Sequence, residues 1–244
     1  MTGHFLNVPE AKVLITRNFL LAREAVLDSV THRSIVAIHG LAGLGKTFAI
    51  AEALAGVSVP VVKVVVLRRP TERFVVAALW EALTGRETRA SRSQIALRLL
   101  PILAEEPRLL IFEEAQNLAP TSFDDLRLLH DDDRTQFGLV FDGGNGAWEV
   151  IDREPMLKSR LARAVRFAPL SQEDILKLIP TYHPIYEGVK PELLTAIDNE
   201  VTRGYMRSWA VFTHNALQLC ERAGKPRIDD AVVRHTILQL ADLA

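Results

Sequence analysis

Short runs of β-branched and apolar residues alternate, over the first 170 residues, with segments whose apolar residues recur at helical spacing. The short runs predict five strands, at residues 34–39, 59–67, 108–112, 138–142 and 164–167. The segment at 10–30 predicts one or two helices, and the segments between the strands predict helices at 48–54, 74–83, 91–104, 122–129 and 155–162. Strands that alternate with helices indicate an α/β fold, in which a parallel sheet is covered on both faces.

The strand pattern stops near residue 170. A capping-box-like sequence begins at Ser171, and every later segment has a helical or turn pattern. The pattern therefore predicts two domains. The first is an α/β core over 1–170, with an N-terminal helical segment at 1–30, and the second is a small all-helical domain over 171–244.

The composition restricts the class of protein. The 244 residues are 48% hydrophobic, which excludes a disordered chain. No apolar run approaches the roughly 18 residues of a membrane span, and the first ten residues lack the pattern of a secretory signal. Cys220 is the single cysteine, so no internal disulfide or cysteine-based zinc site is expected. We expect a cytoplasmic protein that does not associate with membranes.

A glycine-rich segment lies between the first predicted strand and a predicted helix. It reads Gly40-Leu41-Ala42-Gly43-Leu44-Gly45-Lys46-Thr47 and matches the phosphate-loop motif G-x-x-x-x-G-K-[ST]. The glycines let backbone N–H groups point at phosphate oxygens, and the helix that follows adds the positive end of its dipole. We expect these residues and Phe48 to bind ATP. Lys46 would reach the β- and γ-phosphates, and the Thr47 hydroxyl would bind Mg²⁺.

Two acidic residues end the third predicted strand. Glu113 and Glu114 follow a buried apolar run, at the carboxyl end where open α/β sheets bind ligands. In this arrangement the Glu113 carboxylate holds the Mg²⁺ shell, and the Glu114 carboxylate orients the attacking water and takes its proton. A solvated strand edge is the alternative interpretation.

The phosphate loop, the string LLIFEEAQNL at 109–118, a polar strand end and a late arginine together resemble the AAA+ ATPases. The spelling EAQNL at 114–118 more narrowly resembles the transposition ATPases of the Mu B, TniB and TnsC type, and the related ExeA-like secretion ATPases. The resemblance runs from about residue 19 to the C-terminus. It implies a P-loop core with a five-stranded parallel sheet, and it makes the C-terminal all-helical domain a lid.

The resemblance also implies catalytic roles outside the two motifs. Asn145, after the fourth predicted strand, fits the sensor-1 position that helps place the attacking water. Arg160 fits the arginine finger that reaches the γ-phosphate in a neighbouring subunit, and Arg207 fits sensor 2 in the lid. Simpler interpretations stay open: Asn145 also suits a turn and Arg207 a lid surface, while Arg153 and Arg163 are alternative candidates for the finger.

One position departs from the family pattern. The family usually has Asp-Glu at this strand end, whereas this chain has Glu113-Glu114. Because glutamate is one methylene longer than aspartate, its carboxylate would enter the metal shell from a shifted position. We expect ATP binding to survive this change and hydrolysis to be slow.

The distribution of charge changes the picture of possible partners. The formal net charge of −1 excludes a globally basic nucleic-acid binder, yet residues 57–100 carry eight basic and three acidic side chains. In the transposition ATPases that resemble this chain, that region grips duplex DNA inside an ATP-dependent helical filament. Arginine, lysine and threonine suit contacts to the DNA backbone, which do not read sequence. The candidate residues, which could also form a solvated basic face, are Lys63, Arg68, Arg69, Thr71 and Arg73.

The sequence thus predicts an AAA+ ATPase that binds duplex DNA without sequence preference and assembles with ATP into an oligomer or filament. Its predicted task is to select transposition targets and to activate a transposase. The alternatives are an ExeA-like secretion ATPase acting on protein partners, and a replication initiator or helicase loader. We expect neither a wall-binding domain nor a winged helix. The run Asp131-Asp132-Asp133 lacks metal-ligand spacing and predicts a solvated loop.

Overall fold

The computed structural model describes residues 5–241. Its strands are β1 (Ile35–His39), β2 (Val61–Val65), β3 (Arg108–Glu113), β4 (Phe137–Gly143) and β5 (Leu161–Arg166). Its α-helices are α1 (Arg17–His32), α2 (Lys46–Leu54), α3 (Phe74–Thr84), α4 (Arg92–Glu105), α5 (Pro120–Asp131), α6 (Ala147–Asp152), α7 (Pro155–Lys158), α8 (Gln172–Tyr182), α9 (Pro191–Ile197), α10 (Met206–Ala223) and α11 (Asp230–Ala241). Of the helices within 5–241, none has both the length and the apolar character needed to cross a membrane.

The five strands form one parallel sheet in the order β2-β3-β4-β1-β5, which confirms the predicted α/β fold class. The three inner strands, β3, β4 and β1, are almost wholly buried, as expected for parallel strands covered on both faces. The two outer strands are partly exposed and carry charged residues, among them Lys63 on β2 and Arg163 on β5. Charged side chains of this kind discourage pairing of an edge strand with another chain.

Two predicted helices differ from those observed. The helix predicted at 155–162 was wrong in its second half: α7 ends at Lys158, and Leu161 begins β5 opposite Ile35. Pairing with the buried strand β1 outweighs the helical spacing of the apolar residues there. The helix predicted from residue 10 begins only at Arg17. Thr16 precedes it, and the Thr16 hydroxyl caps the helix by accepting a hydrogen bond from the Phe19 N–H at 3.0 Å.

Two compact units divide the described chain. The sheet unit contains residues 20–42 and 49–167, with all five strands. The helical unit contains residues 43–48 of the phosphate loop and the chain from 168 onward, together with the described residues before 20. The division into domains at residue 170 stays a prediction.

The helical unit has its own apolar core. Buried side chains of α8, α9, α10 and α11 form it, and the largest of them are Trp209, Tyr182 and Phe212. Leu14, from the segment before α1, is buried in the same core. Helix α8 begins with the capping box expected at Ser171, whose hydroxyl accepts from the Asp174 N–H. Such a cap contributes about 1 kcal/mol to helix stability.

A buried histidine ties the N-terminal segment to this unit. The His183 Nε2 donates to the Pro9 carbonyl oxygen at 2.8 Å, and its Nδ1 accepts from the Ile185 N–H at 3.1 Å. Burial lowers the pKa of His183 from its ordinary value of 6.5, although the nearby Glu10 carboxylate acts in the opposite direction. The neutral ring with its proton on Nε2 is therefore the form that the fold holds.

Stability should consequently depend on pH through His183. The lowered pKa means that the unfolded chain binds the proton more readily, so this stabilisation is complete above pH 6.5 and is lost as the pH falls towards the folded-state pKa. We expect the urea midpoint to fall less between pH 7.5 and 5.5 in His183→Gln than in the wild type. The exposed His235→Gln is the control and should follow the wild type; equal pH dependence in all three proteins would contradict the assignment.

Candidate functional site

The carboxyl ends of the three inner strands lie side by side in the sheet unit. In the parallel register, Glu113 at the end of β3 is opposite Asp142, and Gly143 at the end of β4 is opposite His39. His39 ends β1 and leads directly into the phosphate loop at Gly40. The two motifs found in the sequence thus follow strands that flank β4, at the edge where α/β sheets bind ligands.

The phosphate loop begins against the end of β5. The Phe167 N–H donates to the His39 carbonyl at 2.8 Å. Gly40 has a φ of +141°, and a Cβ there would lie 2.4 Å from the Phe167 carbonyl oxygen. Glycine is therefore required at this position both by the backbone conformation and by the close approach of β5.

The second half of the loop contacts the start of α10 within the helical unit. Gly43, with a φ of +84°, accepts a hydrogen bond from the Arg207 N–H at 2.9 Å through its carbonyl oxygen. A Cβ at Gly43 would lie 3.2 Å from the Arg207 Cβ. The structure thus brings the predicted sensor-2 residue, through its backbone, against the predicted phosphate loop.

Helix α2 begins inside the motif, at Lys46. The Lys46 side chain is buried and Thr47 is exposed. A Cβ at Gly45, whose φ is +97°, would meet no atom within 4 Å, so the backbone just before the helix faces open space. A helix N-terminus next to open space is the arrangement that binds phosphate, because its dipole and its first backbone N–H groups point towards the ligand.

The two glutamates after β3 differ in their surroundings. Glu113 is half-buried, and its Oε1 lies 3.8 Å from the Lys63 Nζ. Glu114 is exposed and has a left-handed backbone, with φ 60° and ψ 40°. A residue other than glycine in this conformation costs on the order of 1 kcal/mol, and such strain is concentrated at functional sites.

Gln116 joins the Glu114 loop to the turn after β4. Its Nε2 donates to the Glu114 Oε2, and its Oε1 accepts from the Gly144 N–H at 2.7 Å. Asn145, the predicted sensor 1, is the next residue and is exposed in that turn. The structure thus places the predicted base and the sensor-1 turn together. Gln116 belongs to the EEAQNL string, but the sequence pattern predicts no role for it.

The sequence pattern did not point to two further residues near this edge, Asp142 and Trp148. Asp142 is buried at the end of β4, opposite Glu113. The His39 ring stacks on Trp148 of α6 with a centroid separation of 5.0 Å. An aspartate ending an apolar strand was a visible signal for the first, whereas the second depends on α6, a helix that the sequence pattern did not reveal.

The three arginine-finger candidates have different surroundings. The Arg160 Nε donates to the Asp131 Oδ1 at 2.7 Å, and its Nη1 donates to the Met156 carbonyl at 2.8 Å. Arg163 pairs with two carboxylates of α1. Arg153 is exposed, just after α6, and forms no ion pair within residues 5–241.

The candidate DNA-contacting residues lie on β2 and in the segment between β2 and α3. Arg68, Arg69 and Thr71 are exposed. Arg73 is half-buried, and its guanidinium donates to the Ala90 carbonyl at 2.8 Å and to the Thr88 carbonyl. Arg73 thus holds the chain after α3, while the neighbouring arginines face solvent.

Two of the three aspartates in the acidic run that begins at the last residue of α5 form ion pairs. Asp131 pairs with Arg127 and Arg160, and the Arg134 guanidinium lowers the pKa of Asp132 to about 2. Within the described residues no cluster of three or more histidine, cysteine or acidic side chains is arranged to hold a metal ion. A Mg²⁺ ion completed by phosphate oxygens and water does not need such a cluster.

Residues 29–151, just over half of the chain, match the AAA domain family. The chain belongs to this family. The match contains β1 to β4 of the sheet unit together with the phosphate loop, Glu113, Glu114 and the sensor-1 turn. The protein is therefore an AAA-type P-loop ATPase. No curated protein sequence matches the chain.

Solved structures share the fold of this AAA protein at low sequence identity. The Aeropyrum pernix ORC1 protein, solved in complex with DNA, has a TM-score of 0.65 at 23% identity over 96% of this chain and 67% of that one. Cdc6p from Pyrobaculum aerophilum gives 0.66 at 18% identity, over 96% and 69%. The Thermotoga maritima RuvB Holliday junction branch migration motor gives 0.60 at 15% identity, over 96% and 72%.

The close approach at Gly40 yields a test of the phosphate loop. In Gly40→Ala the new methyl group would meet the Phe167 carbonyl, and the loop would have to move away from β5. We expect at least a tenfold loss of ATP affinity, about 1.4 kcal/mol, measured by fluorescence titration with a labelled nucleotide. Gly85→Ala, which also has positive φ but no close neighbour, should bind ATP as the wild type does. Unchanged affinity in Gly40→Ala would refute this account of the loop.

Proposed function

We propose that this AAA protein hydrolyses ATP slowly and binds duplex DNA in an ATP-dependent manner with little sequence preference. The observation that carries the proposal is the complete phosphate loop, which starts at the carboxyl end of a buried parallel strand and ends in the N-terminus of α2. Beside that strand, β4 leads into a polar turn joined to Glu114.

The residues present suit a nucleotide with Mg²⁺. The loop glycines have backbone angles that let N–H groups face phosphate oxygens, and Lys46 supplies a positive charge. The Thr47 hydroxyl and the Glu113 carboxylate are hard oxygen ligands of the type that Mg²⁺ prefers. When bound, Mg²⁺ would offset the negative charge of the β- and γ-phosphates.

Glu114 is the proposed general base. Gln116 occupies one of its carboxylate oxygens, Oε2, which leaves Oε1 to accept a proton from water. Asn145 stands in the turn that Gln116 also contacts, and its amide would help to place that water. Arg207 would contact the nucleotide from α10, and its backbone already meets the phosphate loop at Gly43.

Self-assembly follows from the proposed arginine finger. The family resemblance favours Arg160, which would have to leave the Asp131 carboxylate to reach a neighbouring subunit. The contacts of this chain favour Arg153, which is exposed and makes no ion pair within the described residues. In either case the finger would complete the nucleotide site between subunits, so that ATP promotes an oligomer or filament.

The contacts of Val66 link the loop after β3 to the segment between β2 and α3, which contains the exposed arginines. The Val66 N–H donates to the Glu113 carbonyl at 2.9 Å, and its carbonyl accepts from the Asn117 Nδ2 at 3.0 Å. The exposed Arg68 and Arg69 follow two and three residues later. A shift of the Glu113–Asn117 segment on nucleotide binding would therefore reach the proposed DNA contacts directly, which supports ATP-dependent binding.

Two biological roles fit these properties. We favour a transposition regulator that selects DNA targets and activates a transposase, on the basis of the EEAQNL resemblance. A replication initiator is the second candidate, and the similarity of fold to the ORC1 and Cdc6p proteins favours it, since ORC1 was solved in complex with DNA. Stimulation of a transposase by the ATP-bound protein would distinguish the first role from the second.

Variants of the two motifs test the proposed hydrolysis. Lys46→Ala should lose ATP binding, because the charge that meets the phosphates is removed. Glu114→Gln should keep ATP affinity within about twofold and lose at least about 100-fold in turnover, because the amide accepts no proton from water. The measurements are labelled-ATP binding and phosphate release, with sedimentation to follow ATP-dependent assembly.

These measurements have clear contrary outcomes. Wild-type turnover comparable to that of fast AAA+ motors would contradict the slow hydrolysis inferred from Glu113. If Glu114→Gln turned over ATP as fast as the wild type does, Glu114 would not be the general base. Gln218→Glu, on the exposed face of α10, is the control. It exchanges an amide for a carboxylate, the reverse of Glu114→Gln, and it should leave ATP affinity and turnover unchanged.

The exposed arginines after β2 test the proposed DNA contacts. Arg68→Gln with Arg69→Asn removes two charges, and asparagine tolerates the left-handed backbone at residue 69, where φ is 53°. We expect weaker ATP-dependent binding to every duplex sequence, and a slope of log affinity against log salt that is smaller by about 2. Fluorescence anisotropy at several salt concentrations measures both effects.

A matched variant distinguishes local contacts from net charge. Arg222→Gln with Arg234→Gln removes the same charge from exposed positions on α10 and α11. This control should bind duplex DNA as the wild type does. Equal losses in the two double variants, or no loss in either, would show that the DNA surface lies elsewhere.

A further inference from the structure

The Gln116 amide uses both of its polar ends. The Nε2 donates to the carboxylate of Glu114, two residues earlier in the chain, and the Oε1 accepts from the backbone N–H of Gly144, 28 residues later. One side chain therefore joins the loop after β3 to the turn after β4, directly before Asn145. Among the common side chains of this length, glutamate lacks the donor and methionine lacks both groups.

Gly143 and Gly144, at the end of β4, leave room for the Gln116 amide because they have no side chains. A Cβ on Gly143 would lie 3.3 Å from the Gln116 Oε1, and a Cβ on Gly144 would lie 3.4 Å from its Nε2. The Gly143 position is closed to larger residues in any case, because a Cβ there would be 2.2 Å from the Ala147 Cβ. The paired glycines thus leave the amide lying directly against the turn.

Glu114 needs a constraint of this kind. Its side chain is exposed, and an exposed glutamate samples several rotamers with little preference. Its left-handed backbone is held from the other side by the Asn117 N–H, which donates to the Glu114 carbonyl at 2.9 Å. The Gln116 hydrogen bond is the contact that fixes the carboxylate itself.

We propose that Gln116 is a positioning residue, which holds the Glu114 carboxylate in one orientation and sets it in register with Asn145. The inference rests on the proposed ATP hydrolysis and deepens it. Gln116 acts through Glu114 and the Gly144 turn, so it supports turnover while leaving the affinity for ATP to the phosphate loop. A displacement of the base by about 1 Å is enough to cost up to 100-fold in rate.

Gln116→Met tests this role, because methionine keeps the length and removes both hydrogen bonds. We expect the turnover number to fall roughly 10- to 100-fold and the dissociation constant for ATP to stay within about twofold. Gln116→Glu keeps the acceptor length and places a second carboxylate beside Glu114, so its turnover should be at least as low. A purely structural role would lower the unfolding midpoint and ATP affinity together with turnover.

Gln136→Met is the matched control. The Gln136 amide also makes two hydrogen bonds, with Arg33 at 3.0 Å and the Ala104 carbonyl at 2.9 Å, directly before the opposite end of β4. The variant removes the same two polar groups from a side chain that also bridges two segments, so its loss of stability should be similar. Its turnover should remain within about twofold of the wild type; equal losses of turnover in Gln116→Met and Gln136→Met would overturn the proposal.

A second readout does not depend on activity. In protein labelled with ¹⁵N-glutamine, the Gln116 side-chain amide signal is identified by its loss in Gln116→Met. We expect Glu114→Ala to shift this signal and to leave the Gln136 signal in place. An unmoved Gln116 signal would overturn the inference. If the wild type binds ATP without turnover, the proposed hydrolysis is wrong, and the amide signal still decides whether Gln116 fixes Glu114.

Discussion

Parallel pairing of β4 with both β1 and β3 is the constraint on which the candidate site depends. Because all three strands run in the same direction, the residues that follow them emerge at one edge of the sheet. The phosphate loop, the two glutamates and the sensor-1 turn come from positions more than 100 residues apart in the chain, from Gly40 to Asn145, yet each begins where one of these buried strands ends. In the observed register Glu113 lies opposite Asp142 and Gly143 lies opposite His39, so the carboxyl ends of the three strands are level with one another.

The helical unit depends on a polar interaction of a different kind. The buried Asp198 carboxylate accepts hydrogen bonds from the Thr202 hydroxyl and the Gly204 N–H, both at 2.6 Å. These bonds close the turn before α10, and the Gly204 carbonyl in turn accepts from the Leu170 N–H at 2.9 Å. The same turn sets the start of α10, where the Arg207 N–H meets the phosphate loop at Gly43. A carboxylate to which the sequence pattern gives no role therefore holds the segment that carries the proposed sensor 2.

Strong local patterns made the sheet and the phosphate loop predictable. The buried runs before Gly40 and Glu113 have the length and composition of covered strands, and the motif residues are fixed in spacing. Tertiary pairing decided what local patterns could not, as where β5 begins at Leu161 in place of a longer helix. The role of Gln116 was hidden for a related reason, because its partner at Gly144 is brought near by the pairing of β3 with β4.

Residues 101–150, which follow the basic region 57–100, carry eleven acidic and three basic side chains, and ion pairs account for part of this acidic excess. Aspartates of this region neutralise arginines of their own surroundings: Asp125 pairs with Arg92, and Asp131 pairs with Arg127 and Arg160. Arg68 and Arg69 are exposed, and neither forms an ion pair within residues 5–241. Exposed charges farther apart than the Debye length of about 8–10 Å are largely screened from one another, so the local charge balance matters more to a bound phosphate backbone than the sum over the chain. A net charge of −1 is therefore compatible with a positively charged segment after β2.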